Sequence, residues 1–420
     1  MTCIAFLEAR FYIFEDPKSQ KAYWMKTLRT ISRFIVGAVL IFSGFVKGID
    51  PLGSAYKFND YFTAFGLEFL DPMALPLGIL LSTFEFVLGA VLILNIRTRI
   101  TSWVVLIFMG FFTLLTLYLA FENPVHDCGC FGDAIVMTNW QTFWKNAVIM
   151  VFVVFIFLQR HHFQTPYSRV QELGLTVSTV VIILAFTLYS YFHLPIIDFR
   201  PYEVGANIPE KMKIPEDAPQ PEYKTILKYK KEGEIREFTM DSLPDSTWQW
   251  VETKNVKISE GYTPPISGFS ITTLDGSDIT DIVLDKQDYT FLFISYDLKK
   301  ADRSEMEEIR RLSGFCRENN HCSFIALTSS LKEDIMRFKE KTGVRFPFYH
   351  TDEITLKTII RANPGLMLIK EGVVMGKWHN NDVPSPEEIK TDFLREMDIK
   401  GREKKSQPGQ TGNEREELPS

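Results

Sequence analysis

Two cysteines one residue apart, in Glu122-Asn-Pro-Val-His126-Asp127-Cys128-Gly129-Cys130-Phe131-Gly132-Asp133, are the groups in this chain best suited to covalent chemistry. A disulfide across a single residue closes a small strained ring, and Gly129 supplies the backbone freedom that such a ring needs. Strained, exposed disulfides have raised reduction potentials and are more often catalytic or labile than structural. The chemistry implied is thiol–disulfide exchange at Cys128 and Cys130, one attacking and the other resolving a mixed disulfide. His126 and Asp127 stand beside the pair as supporting groups. Three other readings stay open: a loop staple, a metal site, or thiols that merely pack. Four donors within residues 126–130 crowd an ordinary tetrahedral site, and no second ligand pair follows at a finger-like spacing, so no metal is expected.

The elements that must hold this loop are apolar. The 420 residues average 46% hydrophobic and 23% charged, like a soluble protein, but the average hides two blocks. Residues 30–195 hold 17 of the 98 charged side chains and residues 196–420 hold 73, about 10% and 32% of each block. A single soluble domain, a disordered chain and a strongly basic nucleic-acid binder are excluded. Apolar stretches at Ile31–Ile49, Ala74–Leu94, Ile100–Phe121, Phe143–Leu158 and Leu173–Ile197 read as five membrane-spanning helices, an all-α bundle. Cations cluster before the first stretch, in Asn95–Arg99 and in Arg160–Arg169. The positive-inside rule therefore puts the N-terminus in the cytoplasm and everything after the fifth span across the membrane, the periplasm of a bacterium. The cysteine loop, between the third and fourth stretches, then faces the oxidising side. No cleavable signal is apparent. Glu85 lies mid-span, where a carboxylate is costly and faces the bundle interior to pair or to relay protons. Arg33 is a partner for it only if its side chain reaches inward.

The charged block is organised differently. Residues 198–265 form a juxtamembrane linker and a small β-rich insert, with alternating runs at Tyr223–Tyr229 and Ile235–Met240 and two tryptophans, Trp248 and Trp250, on one strand face. From residue 266 strands and helices alternate. A hairpin over Phe269–Thr280 turns at Asp275-Gly276. Strands at Tyr289–Tyr296 and Ser323–Thr328, helices at Ser304–Asn319 (opened by a Ser304 cap), Leu331–Thr342 and Glu353–Arg361, a hairpin across Glu371-Gly372 and a closing helix at Pro386–Met397 follow. Cys316 and Cys322 suit a structural disulfide in an oxidising compartment; two buried thiols are as good a reading, and a catalytic pair is a distant third. Cys3 falls on the cytoplasmic side. The whole divides as 1–29 N-terminal segment, 30–160 four-helix membrane domain, 161–197 loop and fifth helix, 198–265 linker and insert, 266–399 α/β domain, and 400–420, a charged tail expected to be disordered.

Cys128-Gly-Cys-Phe-Gly132 and the following Lys145-Asn146 resemble the MauE branch of the DoxX-like superfamily over residues 30–160. Arg33, Gly37, Phe42-Ser43-Gly44 and Lys47 in the first helix and Glu85 and Gly89 in the second add to the likeness. That family is associated with maturation of methylamine dehydrogenase, so the resemblance implies redox assistance to exported proteins. Residues 266–397 resemble thioredoxin-like domains of the redoxin and MauD type, and Pro364 stands where such domains carry a cis-proline. The family's Cys-x-x-Cys follows the first core strand, where this chain reads Ser295-Tyr-Asp-Leu-Lys-Lys300, so the domain is expected to be a redox-inactive module that binds clients. The layout is similar to membrane proteins of Bacteroidota that join MauE-like and MauD-like parts. The expected protein sits in a bacterial inner membrane and meets the lipid bilayer and periplasmic client or redox-partner proteins, not nucleic acid. No cofactor is evident, and a quinone follows only by analogy with other four-helix thiol oxidases. A non-catalytic scaffold with a structural disulfide, or a small-molecule carrier centred on Glu85, are the alternatives.

Overall fold

The computed structural model describes residues 17–125, 127–220, 222–231, 233–259, 261–319 and 321–394, and the chain divides into two compact units between Arg200 and Pro201. Expectations for residues 1–16, Cys3 among them, for His126 and for the tail lie outside the described residues.

The first unit is helical. Its helices are α1 (Pro17–Ile49), α2 (Pro51–Phe65), α3 (Ala74–Ile93), α4 (Thr98–Glu122), α5 (Asn139–Leu158) and α6 (Arg169–Phe192). Five of them, all but α2, are long and apolar enough to cross a membrane. Much of their surface is exposed hydrophobic side chain, such as Ile107, Phe111 and Leu114 on α4 and Val177, Val181 and Ile182 on α6, which suits lipid and not water. The fourth span is longer than its apolar run because Thr138 and Gln141 form a capping box that starts α5 at Asn139. The fifth runs over Arg169–Phe192, earlier than expected, because Ser168 caps it.

Helices α1 and α3 pack with their backbones in near contact. A Cβ on Gly44 would lie 2.5 Å from the Phe86 nitrogen, and one on Gly89 would lie 2.6 Å from the Gly37 oxygen. Small residues at a membrane helix interface allow this approach, and it puts Ser43 and Lys47 level with Glu85. A core of Val36, Leu40, Leu88, Leu92, Val105, Met109, Ile149, Val153 and Ile156 fills the other end of the bundle.

Helix α2 fills the connection between the first two spans, where no apolar stretch marks a helix. Asp50 accepts a hydrogen bond from the Gly53 N–H, Pro51 occupies the first turn, and Gly66 closes the helix at φ 67°. These start and stop signals are all in the sequence, but the segment is too mixed in polarity to attract a membrane-helix reading.

The second unit begins with α7 (Ile208–Met212), followed by a three-stranded antiparallel sheet of order β2-β1-β3, with β1 (Glu222–Lys231), β2 (Glu234–Thr239) and β3 (Gln249–Ser259). Only Trp250 of the two tryptophans lies on a strand, where it is exposed. Trp248 precedes it and packs on Phe238, so the two do not share a strand face.

Next come α8 (Thr280–Leu284), β4 (Tyr289–Ser295), α9 (Met306–Glu318), β5 (Cys322–Thr328), α10 (Lys332–Thr342), β6 (Phe348–His350), α11 (Glu353–Ile359), β7 (Gly365–Lys370), β8 (Val373–His379) and α12 (Pro386–Ile389). The sheet order is β6-β5-β4-β7-β8; β4, β5 and β6 are parallel, and β7 and β8 antiparallel. Every residue of β4 is buried, as a central strand covered on both faces requires. The Asn363–Pro364 peptide before β7 is cis. This β-α-β, then hairpin-and-helix order is the thioredoxin-like arrangement.

Three local expectations change. The Phe269–Thr280 hairpin is reduced to a tight turn with one bridge, Thr272 to Asp278, because Thr272 also pairs with His350 and the chain turns away into α8. Helix α9 starts at Met306 with no side-chain cap; Ser304 instead accepts from the Asn380 amide. The closing helix is four residues long and runs on into a single π turn over Lys390–Leu394.

Candidate redox site

The Cys128-Gly129-Cys130 segment is held from four directions. From α1, the Ser43 hydroxyl and the Lys47 ammonium both lie 2.8 Å from the Cys130 carbonyl oxygen. From α2, the Tyr61 hydroxyl donates to the Cys128 carbonyl at 3.1 Å, and Lys57 pairs with Asp127. Helix α5 places Thr142 beside Cys128 and lays the Lys145 ammonium over the Phe131 ring, 4.2 Å from its centroid. From α3 comes Glu85, which takes Lys47 at 2.7 Å and Ser43 at 2.8 Å. The Lys57 stem lies on Gly129, where φ is +64° and a Cβ would be 3.1 Å from the Lys57 Cγ; glycine satisfies both the backbone and the space.

Lys47 and Glu85 are a buried ion pair, their side chains 10% and 6% exposed. Burying either alone would cost several kcal/mol, and pairing with full hydrogen bonding offsets that. The three ammonium hydrogens of Lys47 have three acceptors, in Ser43, Glu85 and the Cys130 carbonyl. Lys47, not Arg33, is therefore the partner of Glu85. Arg33 is fourteen residues earlier on the same helix, about 21 Å along it, and lies against the rings of Phe34 and Phe163.

The two thiols are half-buried and unbonded, with sulfurs 2.6 Å apart. They share a proton unequally. The hydrogen bond from Cys128 holds Cys130 well below the usual thiol range, at about 6; Lys145 and Lys47 add to this, and burial and Glu85 oppose it. Cys128 moves the opposite way, first through the same hydrogen bond and then through burial and the adjacent charge. Lys145 and Lys47 thus favour negative charge on Cys130, and burial and Glu85 work against it.

The sequence placed Cys128, Cys130, Asp127 and Glu85 on separate grounds, and the fold brings all four into one cluster. It missed Ser43 and Lys47 as ligands of the loop, and it missed Lys57, Tyr61 and Lys145 entirely as site residues. A lysine one turn after Ser43 in an otherwise apolar helix, opposite a mid-span glutamate, was the available signal.

The second unit has different chemistry. Cys316 and Cys322 are joined by a disulfide between the end of α9 and the start of β5. His321 beside them is exposed and faces Asp288 at 3.4 Å. Residues 296–300, directly after β4, hold no cysteine. Their backbone is tied down by Asn363, whose amide donates to the Asp297 carbonyl, and by Ser330, which accepts from the Leu298 N–H. Among the described residues no group of three or more His, Cys, Asp or Glu side chains is placed to hold a metal ion.

Residues 25–159 match the family described as Methylamine utilisation protein MauE, and residues 223–260 match a Domain of unknown function (DUF8463). Protein TlpB of Flavobacterium psychrophilum is 26% identical over 136 residues, which is 32% of this chain and 34% of that protein. The chain thus spans about a third of the length of this curated relative. Among solved structures, a candidate protein disulfide isomerase from Bacteroides thetaiotaomicron covers 33% of this chain and 89% of its own, with a TM-score of 0.24 and 18% identity. A secreted disulfide oxidoreductase from Mycobacterium tuberculosis covers 32% and 93%, with a TM-score of 0.22 and 15% identity.

Proposed function

We propose that this multi-pass membrane protein exchanges disulfides with exported proteins through Cys128 and Cys130, in a bacterial inner membrane with the loop and the second unit on the periplasmic side. The observation that carries the reading is the pair itself: two sulfurs 2.6 Å apart across one glycine, on a clamped loop, with the Cys130 thiol pulled below the usual thiol range by its neighbours. A ring closed across one residue is strained, so its disulfide is readily passed on.

From the oxidised loop, a client thiolate attacks the Cys130 sulfur. The Cys128–Cys130 bond breaks, and Cys128 leaves and takes up a proton. The client's second thiol loses its proton and attacks the client sulfur now bonded to Cys130. Cys130 departs as a thiolate, a good leaving group because its proton is held weakly. The client gains a disulfide and the loop becomes the dithiol, to be recharged by exchange with another disulfide. In the opposite direction the Cys130 thiolate opens a client disulfide and Cys128 resolves it.

The thioredoxin-like domain serves in this reading as a client-binding module, because residues 296–300 directly after β4 hold no cysteine and its two cysteines are bonded to each other. The test is trapping in cells. Cys128→Ser should accumulate mixed disulfides through Cys130, visible as adducts that collapse on reduction, and Cys130→Ser should accumulate few. If neither variant traps any protein, the exchange mechanism is wrong.

A further inference from the structure

The site holds two lysines beside one cysteine, and their surroundings differ. All three hydrogens of Lys47 are taken by Ser43, Glu85 and the Cys130 carbonyl, so its charge is spent on a fixed carboxylate and on the loop backbone. Lys145 has no carboxylate within ion-pair distance among the described residues. Its ammonium rests on the face of Phe131, the residue next to Cys130, and it stands three residues after Thr142, which lies beside Cys128 on the same face of α5. An aromatic face holds a cation in place without neutralising it.

We propose that Lys145 is the dedicated charge partner of the thiolate that forms on Cys130 during exchange, and that Lys47 is a positioning residue for the loop. The inference rests on the exchange reading above and assigns the electrostatics of the same site. With the loop oxidised, Cys130 carries no charge and the Lys145 ammonium has no carboxylate within ion-pair distance among the described residues. When the second client thiolate displaces Cys130, the electron pair of the breaking S–S bond settles on Cys130 beside that waiting cation. Electrostatic stabilisation set in place before the charge develops lowers the barrier without reorganisation at the moment of reaction. Among the described residues, the other charged or titratable groups of the loop and the helices around it include Lys47 on α1, Lys57, Asp60 and Tyr61 on α2, Glu85 on α3, and Asp127, Cys128 and Asp133 in the loop. Glu85 pairs with Lys47, Asp60 and Asp127 share Lys57, and none of these carboxylates lies within ion-pair distance of Lys145.

The test is the pH profile of iodoacetamide alkylation at Cys130, read by mass spectrometry on the full-length reduced protein in detergent. Lys145→Gln should move the midpoint up by about one pH unit, and slow alkylation several-fold at pH 6.5, as loss of one nearby opposite charge predicts. Lys145→Arg, which keeps the charge, should restore the wild-type profile. Lys47→Gln should lower thermal stability far more than Lys145→Gln does. An unmoved midpoint in Lys145→Gln overturns the inference, and so does an arginine variant that behaves like the glutamine one. Alkylation does not depend on clients. A shifted profile without any trapped client would sink the proposed function and leave this assignment standing; trapped clients with an unmoved profile would do the reverse.

Discussion

At the scale of single residues, the reactivity proposed for Cys130 rests on neighbours that the chain brings in from far away. Exchange and alkylation need the thiolate, so both should be slow below the Cys130 value of about 6, rise as pH passes through it, and level off above about pH 7. Stopped-flow alkylation of the reduced protein from pH 4.5 to 8 checks this. Lys47→Met leaves the Glu85 carboxylate buried without its cation and should destabilise the bundle by about 3–5 kcal/mol. The double variant Lys47→Met/Glu85→Leu, which removes both charges, should recover much of that loss in thermal unfolding measured in detergent. Gly129→Ala places a Cβ at positive φ and against the Lys57 stem, a cost of about 1–2 kcal/mol. That change should appear as a lowered midpoint in chemical unfolding, with the two thiols still present by titration.

At the scale of elements, the site depends on the closeness of α1 and α3. Gly44 has no room for any side chain, with backbone atoms of Ser82 and Phe86 inside 3 Å of where a Cβ would be. Gly44→Val should force the helices apart, separate Lys47 from Glu85 and release the Cys130 carbonyl. The expected outcome is loss of folded protein on size-exclusion chromatography, or, where it survives, thermal destabilisation of about 2–4 kcal/mol. The apolar spans were readable because a lipid-facing helix must be long and nearly free of charge. Helix α2 was not, although Asp50, Pro51 and Gly66 mark its ends, because its polarity follows the loop surface it covers and not the bilayer. The Phe269–Thr280 hairpin failed for a different reason: its residues have the turn chemistry, but pairing with His350 competes for Thr272.

At the scale of the whole molecule, the chain joins a lipid-suited helical unit to a charged α/β unit, and each has its own cysteine pair. The pair in the second unit is structural in this account. Cys316→Ala/Cys322→Ala should cost about 2 kcal/mol in stability of that unit and leave client trapping by Cys128→Ser unchanged. Trapping lost together with the disulfide would mean that the second pair takes part in exchange.

The division into two solvents, the five spans, the strand-and-helix order of the second unit and the Cys-Gly-Cys loop are all legible in the linear chain. Each of these is local: a run of apolar side chains, an alternation, a spacing of one residue. Which groups meet is settled by the packing of the helices. Ser43, Lys47, Lys57, Glu85, Asp127 and Lys145 are spread over a hundred residues, and no periodicity ties them together. They converge because glycines let α1 and α3 touch, and because α2 and α5 close over the loop from either side. Charge pairing is set by distance in space, so the choice of Lys47 over Arg33 for Glu85 waited on the register of two packed helices.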